Sequence, residues 1–325
     1  MTMTSTTHRG TTPVEPLELS RLAVVIVRAG VLPRGAGEVV AEAGGRVLLL
    51  GSGTTEAAAD LGAARAWHAE TAGAAPDGLA RALVPLLQEV RTLLLPGSPD
   101  GRDFAPRLAA ALHRPLLGWA SAVTVDDEGT TAALQRLDSR IEVDVRCDGP
   151  CVVTMVPGAR SPLPPSNGEV FEVLLDVPDG VDAERIAVLE PDPATMDLAE
   201  ARRVVGAGAG LVHDDDRAPG TLALLAAVSS RIGASTGATR VLTDAGHIHH
   251  DRQIGTTGVG IDPDLYLALG VAGASQHTGG LGNPRHIVSV NTDASCPMTA
   301  MADLGLVTDA HAFLLELADR LGVSP

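Results

Sequence analysis

Short apolar runs that close on glycine or alanine-glycine, each followed by a small-residue segment of helical spacing, constrain this chain more than any other feature. Arg21–Val27 reads R-L-A-V-V-I-V and Arg46–Leu50 reads R-V-L-L-L. Both are apolar throughout and do not alternate, the pattern of a strand buried on both faces of a parallel sheet. Gly35–Ala43 between them is small and amphipathic and suits a crossover helix. Val90–Leu95 predicts a third strand, a G-S-P-D-G turn follows, and Asp103–Leu112 predicts a helix with Phe104, Leu108 and Leu112 on one face. Leu116–Trp119 and Ser121–Val125 return toward the sheet. Strands alternating with helices predict a doubly wound, mostly parallel α/β sheet.

The character changes after Ser139. Ile141–Val145, Cys151–Met155 and Val170–Leu175 follow one another without helices between them, which predicts antiparallel strands appended to the first domain. Pro162, Pro164 and Pro165 mark the turns. The sequence E-P-D-P-A-T-M-D at 190–197 reads as an interdomain linker. The expected division is a disordered tail over 1–16, an N-terminal α/β domain over 17–189, the linker, and a second α/β domain over 198–325; 325 residues leave room for both. The second domain repeats the alternation. Arg203–Val205 is a strand running into the loop Gly206–Gly210. Pro219–Ile232 is a helix with proline in its first turn and Leu222, Leu225, Ala226 and Ser229 on a shared face. Arg240–Thr243, Tyr266–Leu269 and Ile287–Val290 read as buried strands, and Ala310–Leu321 as a closing helix capped by Asp309.

Charge and cysteine usage exclude several classes. A net charge of −16 argues against nucleic-acid binding, which needs clustered cations to displace phosphate counterions. All 24 fixed cations are arginine, as in a genome rich in G and C. Cys147, Cys151 and Cys296 are odd in number and form no C-x-x-C, so neither a disulfide framework nor a zinc ribbon is expected, and a reducing, cytoplasmic setting is. Residues 1–16 are rich in Thr, Ser and Pro and lack the apolar region of a secretory signal. No apolar run reaches the ~20 residues that span a bilayer.

The stretch from Thr236 to Asn291 carries the chemistry. Small and polar loop residues alternate there with short apolar runs: T-G-A-T-R, T-D-A-G, Q-I-G-T-T-G, G-V-A-G-A-S-Q-H and I-V-S-V-N. Such loops let backbone N–H groups approach a phosphate, and Ala272-Gly273-Ala274 opens a short helix through Gln276 and His277, a favourable place for an anion. Arg240, at the start of an expected buried strand, would need an anion or a carbonyl beside it. Two plainer readings stay open: Arg240 paired with Asp244, and His277 a core histidine. The loop Gly206–Gly210 fails the dinucleotide fingerprint G-x-G-x-x-G, because the last position is Leu211 counted from Gly206 and His213 counted from Gly208. It reads instead as a backbone passing close to a ligand or neighbouring strand. His247, His249, His250 and Asp251 lack the spacing of a zinc helix and read as a solvated loop; Asp214, Asp215 and Asp216 read as an acidic turn. Ser121 and Ser275 lack a G-x-S-x-G setting, so hydrolase chemistry has no support.

With T-G-A-T-R, T-D-A-G, I-G-T-T-G, D-P-D-L-Y, G-V-A-G-A-S-Q-H, S-V-N and T-D in that order, the C-terminal third resembles the alpha subunit of electron transfer flavoprotein, the FixB-type family. The likeness runs from about Ala201 to the end; the N-terminal 190 residues match more weakly, most clearly from Leu93 to Val125. It implies two α/β domains, each a mostly parallel doubly wound sheet, with the C-terminal one a FAD-binding Rossmann-like domain and the N-terminal one a scaffold for a beta subunit that carries AMP. It implies an electron carrier, taking electrons from dehydrogenases and giving them to a membrane quinone reductase or similar acceptor. The arginine-only, alanine-rich composition points to an actinobacterial branch, the one accompanying mycofactocin-type dehydrogenases.

Carried over by position, the resemblance places Thr239 at the FAD phosphates or the flavin edge, Arg240 over the isoalloxazine, and Ile254, Gly255, Thr256 and Thr257 along the flavin. Ala272, Gly273, Ala274, Ser275, Gln276 and His277 would wrap the pyrophosphate, with His277 reaching the pyrimidine-side carbonyl. Asn291 and Asp309 would hold the ribose and adenine part. A fixed cation and hydrogen-bond donors beside the pyrimidine favour the reduced, negatively charged ring. Four positions depart from the family: Ala209 stands for an arginine, Thr256 for a glutamine, Val259 for a lysine and Ala272 for a serine. Ala209 and Ala272 motivate the alternative of a scaffold or adenine-nucleotide-binding subunit without tightly held FAD. A nicotinamide oxidoreductase rests on the Gly206–Gly210 loop alone.

Overall fold

The computed structural model describes residues 15–71, 73–137, 141–164, 168–178, 186–187, 189, 191–212 and 217–323. The chain divides into two compact units, Met1–Ala187 and Val188–Pro325. Pro193 and Ala194 belong to the second by their bonds: the Pro193 carbonyl accepts from Ser235 Oγ, and the Ala194 carbonyl accepts from Arg252.

In unit 1 the chain runs through β1 (Arg21–Val27), α1 (Ala36–Glu42), β2 (Arg46–Gly51), α2 (Thr54–Ala59), β3 (Arg65–Glu70), α3 (Pro76–Ala82), α4 (Val84–Leu87), β4 (Thr92–Pro96), α5 (Pro99–Ala111), β5 (Leu116–Val125), β6 (Thr130–Arg136), β7 (Ile141–Cys147), β8 (Cys151–Met155) and β9 (Glu169–Glu172). The sheet is nine-stranded, ordered β7-β6-β5-β8-β4-β1-β2-β3-β9. Alternate residues of β1 feed two cores. Ala23, Val25 and Val27 pack with α1 and α2, whereas Leu22 and Val24 pack with α3, α4 and α5. Burial on both faces is what the continuous apolar runs require.

The expectation of appended antiparallel strands is corrected. Among the described strands only β5–β6 and β6–β7 pair antiparallel. Strand β8 inserts parallel between β4 and β5, and β9 adds parallel to β3 at the opposite edge. All residues of β8 are buried, so its unbroken C-V-V-T-M run marks a central strand. The two runs expected over 116–125 are one strand bent at Trp119, whose φ is 66° and around which the register shifts against β6 and β8. Glu42, 5% exposed, is satisfied by Arg21 and Arg160, tying the 156–164 segment to α1.

Unit 2 runs through β10 (Arg203–Ala207), α6 (Ala218–Arg231), β11 (Ser235–Ala238), α7 (Arg240–Asp244), β12 (Leu265–Leu269), α8 (Ser275–Thr278), β13 (His286–Asn291), α9 (Pro297–Ala300), β14 (Leu304–Val307) and α10 (Ala310–Leu321). Its five-stranded sheet, β11-β10-β12-β13-β14, is parallel throughout. One face packs on α6 and α10 through Leu224, Leu225, Val228 and Leu314. The other is closed by Leu198, Ile254, Ile261, Leu281 and Met298 over Tyr266, mostly from loops. The buried face of α6 comprises Ala218, Thr221, Leu224, Leu225, Val228 and Ser229, and Ala226 of the expected face is exposed. Asp309 caps α10 by accepting from the Ala312 amide at 2.7 Å.

Candidate functional site

The strand order of unit 2 reverses between β10 and β12, because the chain steps from β10 to β11 on one side and then to β12 on the other. Doubly wound sheets bind ligands at such a switch point, in the crevice outside the carboxyl ends of the strands. A cavity of about 480 Å³ lies there. Ala209 and Gly210 line it after β10, Thr239, Arg240 and Val241 after β11, Gly270, Ala272, Gly273 and Ala274 after β12, and Asn291 at the end of β13. Gln253, Ile254, Gly255 and Thr257 come from the loop after α7, and Gln276 and His277 from α8. The volume suits a small molecule or a substantial part of a larger cofactor.

Two loops build the floor. The Thr256 amide donates to the Gln276 carbonyl at 2.8 Å, and Ile254 N donates to the Ala238 carbonyl at 2.9 Å, joining 253–258 to both α8 and β11. Gly273 has φ +83°, and a Cβ there would lie 2.4 Å from the Met298 amide nitrogen, so only glycine lets the 272–274 turn sit against α9. The reading of Gly206–Gly210 as a close-passing loop agrees with the packing: a Cβ at Gly208 would come within 2.2 Å of the Gly270 carbonyl.

Most of the residues expected at the site meet in this crevice: Thr239, Arg240, Ile254, Gly255, Thr257, Ala272, Gly273, Ala274, Gln276, His277 and Asn291. Thr256, Ser275 and Asp309 do not line it. Thr256 is exposed and joins the floor through its backbone amide, the Ser275 hydroxyl donates to Gln276 Oε1 at 3.3 Å, and the Asp309 carboxylate caps α10. Asn291 is partly engaged, since Nδ2 donates to the Val271 carbonyl and Oδ1 accepts from the Asp293 amide, both at 3.0 Å.

Arg240 departs from expectation. It begins the short helix α7, and the strand ends before it at Ala238, with Thr239 in the N-cap position but its hydroxyl making no cap bond. The guanidinium is 67% exposed and donates to Asp244 at 3.0 Å. No burial cost forces an anion onto it, and the plainer pairing is the one present. Exposed i,i+4 pairs contribute only about 0.3–0.5 kcal/mol, so the side chain is free to exchange Asp244 for another anion at the crevice.

Two buried polar atoms on the lining, Thr239 Oγ1 and His277 Nδ1, have no hydrogen-bond partner of ordinary geometry among the described residues. Burial draws the His277 pKa down to about 4, against a weaker opposing influence from the Ile254 carbonyl, so the ring is neutral near pH 7. Thr257 is oriented by Gln253, whose Nε2 donates to the Thr257 hydroxyl at 3.0 Å while Oε1 accepts from Thr243 at 2.7 Å. Gln253 is 1% exposed and was not among the expected site residues, although it heads the Q-I-G-T-T-G segment. His249 and Asp251 pair on the surface, and among the described residues no His, Cys, Asp and Glu group can hold a metal. The acidic turn Asp214–Asp216 lies outside the described residues. No helix among them is long and apolar enough to cross a membrane.

A wholly parallel doubly wound unit, with a glycine-walled crevice at its switch point and unpartnered donors on the walls, defines a nucleotide-cofactor class of α/β protein. Comparison with known families narrows the class. A family model described as the electron transfer flavoprotein FAD-binding domain matches residues 197–282, and one described as the electron transfer flavoprotein domain matches 35–176. Electron transfer flavoprotein subunit alpha of Mycobacterium leprae is 31% identical over 237 residues, covering 70% of each chain. The subunit of the same name from Paracoccus denitrificans is 30% identical over 247 residues, covering 74% of this chain and 75% of its own. The chain belongs to the electron transfer flavoprotein alpha-subunit family.

Proposed function

We propose that the chain holds FAD in the crevice of unit 2 and serves as the alpha subunit of a heterodimeric electron carrier. The observation that carries this is the pair of buried, unpartnered atoms on the crevice wall, Thr239 Oγ1 and His277 Nδ1. A buried polar atom without a partner costs about 1–3 kcal/mol, a cost that a polar ligand removes. FAD offers such partners along its length, with phosphate and carbonyl oxygens as acceptors. The residues fit it: Thr239 with backbone amides of the 272–276 turn for the phosphates, and Arg240, Thr257 and His277 for the flavin ring.

When bound, FAD supplies a ring that takes up and returns electrons. The chain's own part is to hold that ring and bias its charge. Arg240 is positively charged at any working pH, so its influence is independent of pH. Thr257 and His277 add neutral hydrogen bonds, and the apolar side chain of Ile254 excludes water. Nothing in this arrangement requires a proton-abstracting base. A partner beta subunit carrying AMP, dehydrogenase donors (flavin-containing or mycofactocin-linked), a quinone-reductase-type acceptor and a cytoplasmic setting complete the reading.

Ala209 and Ala272, both on the crevice wall, favour a second reading. With methyl groups where the resemblance drawn from the sequence expects an arginine and a serine, the crevice on this reading keeps an adenine nucleotide and releases flavin. Co-expression with a beta-type subunit separates the two. A yellow heterodimer that releases one FAD per chain on denaturation supports the carrier; a colourless heterodimer carrying AMP alone supports the second reading.

A further inference from the structure

The Tyr266 hydroxyl and His277 Nε2 stand 2.8 Å apart in the apolar interior of unit 2. Tyr266 is 0% exposed and His277 5%. Among the described residues the phenol has no other hydrogen-bond partner. Burial pushes its pKa far up, so the phenol keeps its proton. A buried O–H must be given to an acceptor or its desolvation goes uncompensated. Nε2 is the acceptor within reach, and it can accept only if it carries no proton. The imidazole is neutral and holds a single ring proton, which must then sit on Nδ1. The opposite tautomer would strand the phenol proton and leave Nδ1 as a bare acceptor, unsuited to a carbonyl or phosphate oxygen.

We propose that Tyr266 is a positioning residue: its hydroxyl fixes His277 as the Nδ1–H tautomer, so that Nδ1–H is the donor held for the ligand of the crevice. The crevice depends on this because His277 lines it and Nδ1, beyond a weak pull from the Ile254 carbonyl, makes no hydrogen bond of ordinary geometry among the described residues. Room for the phenol comes from Gly206, where a Cβ would lie 2.1 Å from the hydroxyl oxygen. The tautomer is a property of the chain alone; only the use of the donor by a flavin carbonyl rests on the function proposed above.

The test is nitrogen NMR on the heterodimer with histidine labelled in the alpha chain, using His277→Gln to identify the resonances. The wild type should show a protonated Nδ1 and a bare Nε2, with no titration near the usual imidazole pKa of about 6.5. Tyr266→Phe, which removes only the hydroxyl, should mix or swap the tautomers and shift the flavin midpoint potential downward. A wild-type Nε2–H tautomer would overturn the proposal. So would an unchanged tautomer in Tyr266→Phe, or a swapped one with an unmoved potential. Should the variant fail to fold, the wild-type spectrum decides. A colourless heterodimer would count against the flavin reading, with the nitrogen spectrum still deciding the tautomer.

Discussion

The Tyr266 ring fills the space that a side chain at position 206 would need: a Cβ on Gly206 would lie 2.1 Å from the phenol oxygen and 2.7 Å from two ring carbons. Both residues sit on central strands, so neither backbone can withdraw without breaking the β10–β12 pairing. Gly206→Ala should therefore destabilise the protein by about 1–3 kcal/mol, the usual range for overpacking. Thermal melting measures this. In a Tyr266→Phe background only part of the loss should return, because the ring carbons still crowd the new methyl. An alanine variant that melts like the wild type would refute the packing argument.

Arg240→Ala separates stability from redox function. The guanidinium is exposed and pairs only with Asp244 across one helical turn, so denaturant midpoints should correspond to a change within about 0.5 kcal/mol. The flavin midpoint potential of the heterodimer should fall, since a fixed positive charge beside the reduced ring is lost. An unmoved potential in spectroelectrochemical titration would remove Arg240 from the flavin's surroundings.

The buried His277 gives stability a defined pH dependence. Its pKa is about 4 in the folded protein against 6.5 when unperturbed, so between those values the unfolded chain binds the extra proton. Stability is thus unaffected above pH 6.5 and declines as pH falls toward 4, by roughly 3 kcal/mol over the window. His277→Gln should flatten that slope in urea melts taken across the same range. Asp126, Asp293 and Glu70, whose pKa values lie below their ordinary ones, begin to act only near the acid end of that window and do so equally in both proteins, so the difference between the slopes belongs to His277. Parallel slopes for wild type and variant would contradict the burial of the imidazole.

Ala272 is exposed on the crevice wall, at the position where the resemblance drawn from the sequence expects serine. Ala272→Ser should tighten FAD by about 2- to 10-fold, the worth of one hydrogen bond, without altering the melting temperature of the flavin-stripped heterodimer. Equilibrium titration of the flavin-stripped heterodimer measures it. No gain would mean that the cofactor's polar atoms lie away from this residue.

How far the sequence was readable depended on whether local pattern or long-range pairing decided the outcome. The runs at Arg21–Val27 and Arg46–Leu50 named their strands because a doubly buried strand has no polar face to disguise it. Asp309 announced its helix by capping chemistry that needs only three neighbouring residues. Strand β8 was misjudged because orientation is set by partners far away in sequence, Thr92–Pro96 and Leu116–Ala120. Arg240–Thr243 was misjudged because R-V-L-T is apolar enough for a strand, while the chain leaves the sheet at Ala238 and closes a single helical turn in which the Leu242 amide donates to the Thr239 carbonyl. At the site, glycines and small residues marked the loops. Gln253 was hidden, because a buried glutamine joining two threonines leaves no periodic trace.

The face of the unit 2 sheet opposite α6 and α10 is roofed mainly by Ile254, Ile261 and Leu281, from the same loops that wall the crevice. Whatever lies in the crevice therefore rests on the outer side of a hydrophobic core. Those loops cannot swing open to admit or release a ligand without wetting Tyr266, so exchange must proceed through the mouth of the crevice with its floor intact. Anything that tightens the grip on the ligand braces the domain, and a mutation that loosens the domain from within is felt first as lost cofactor.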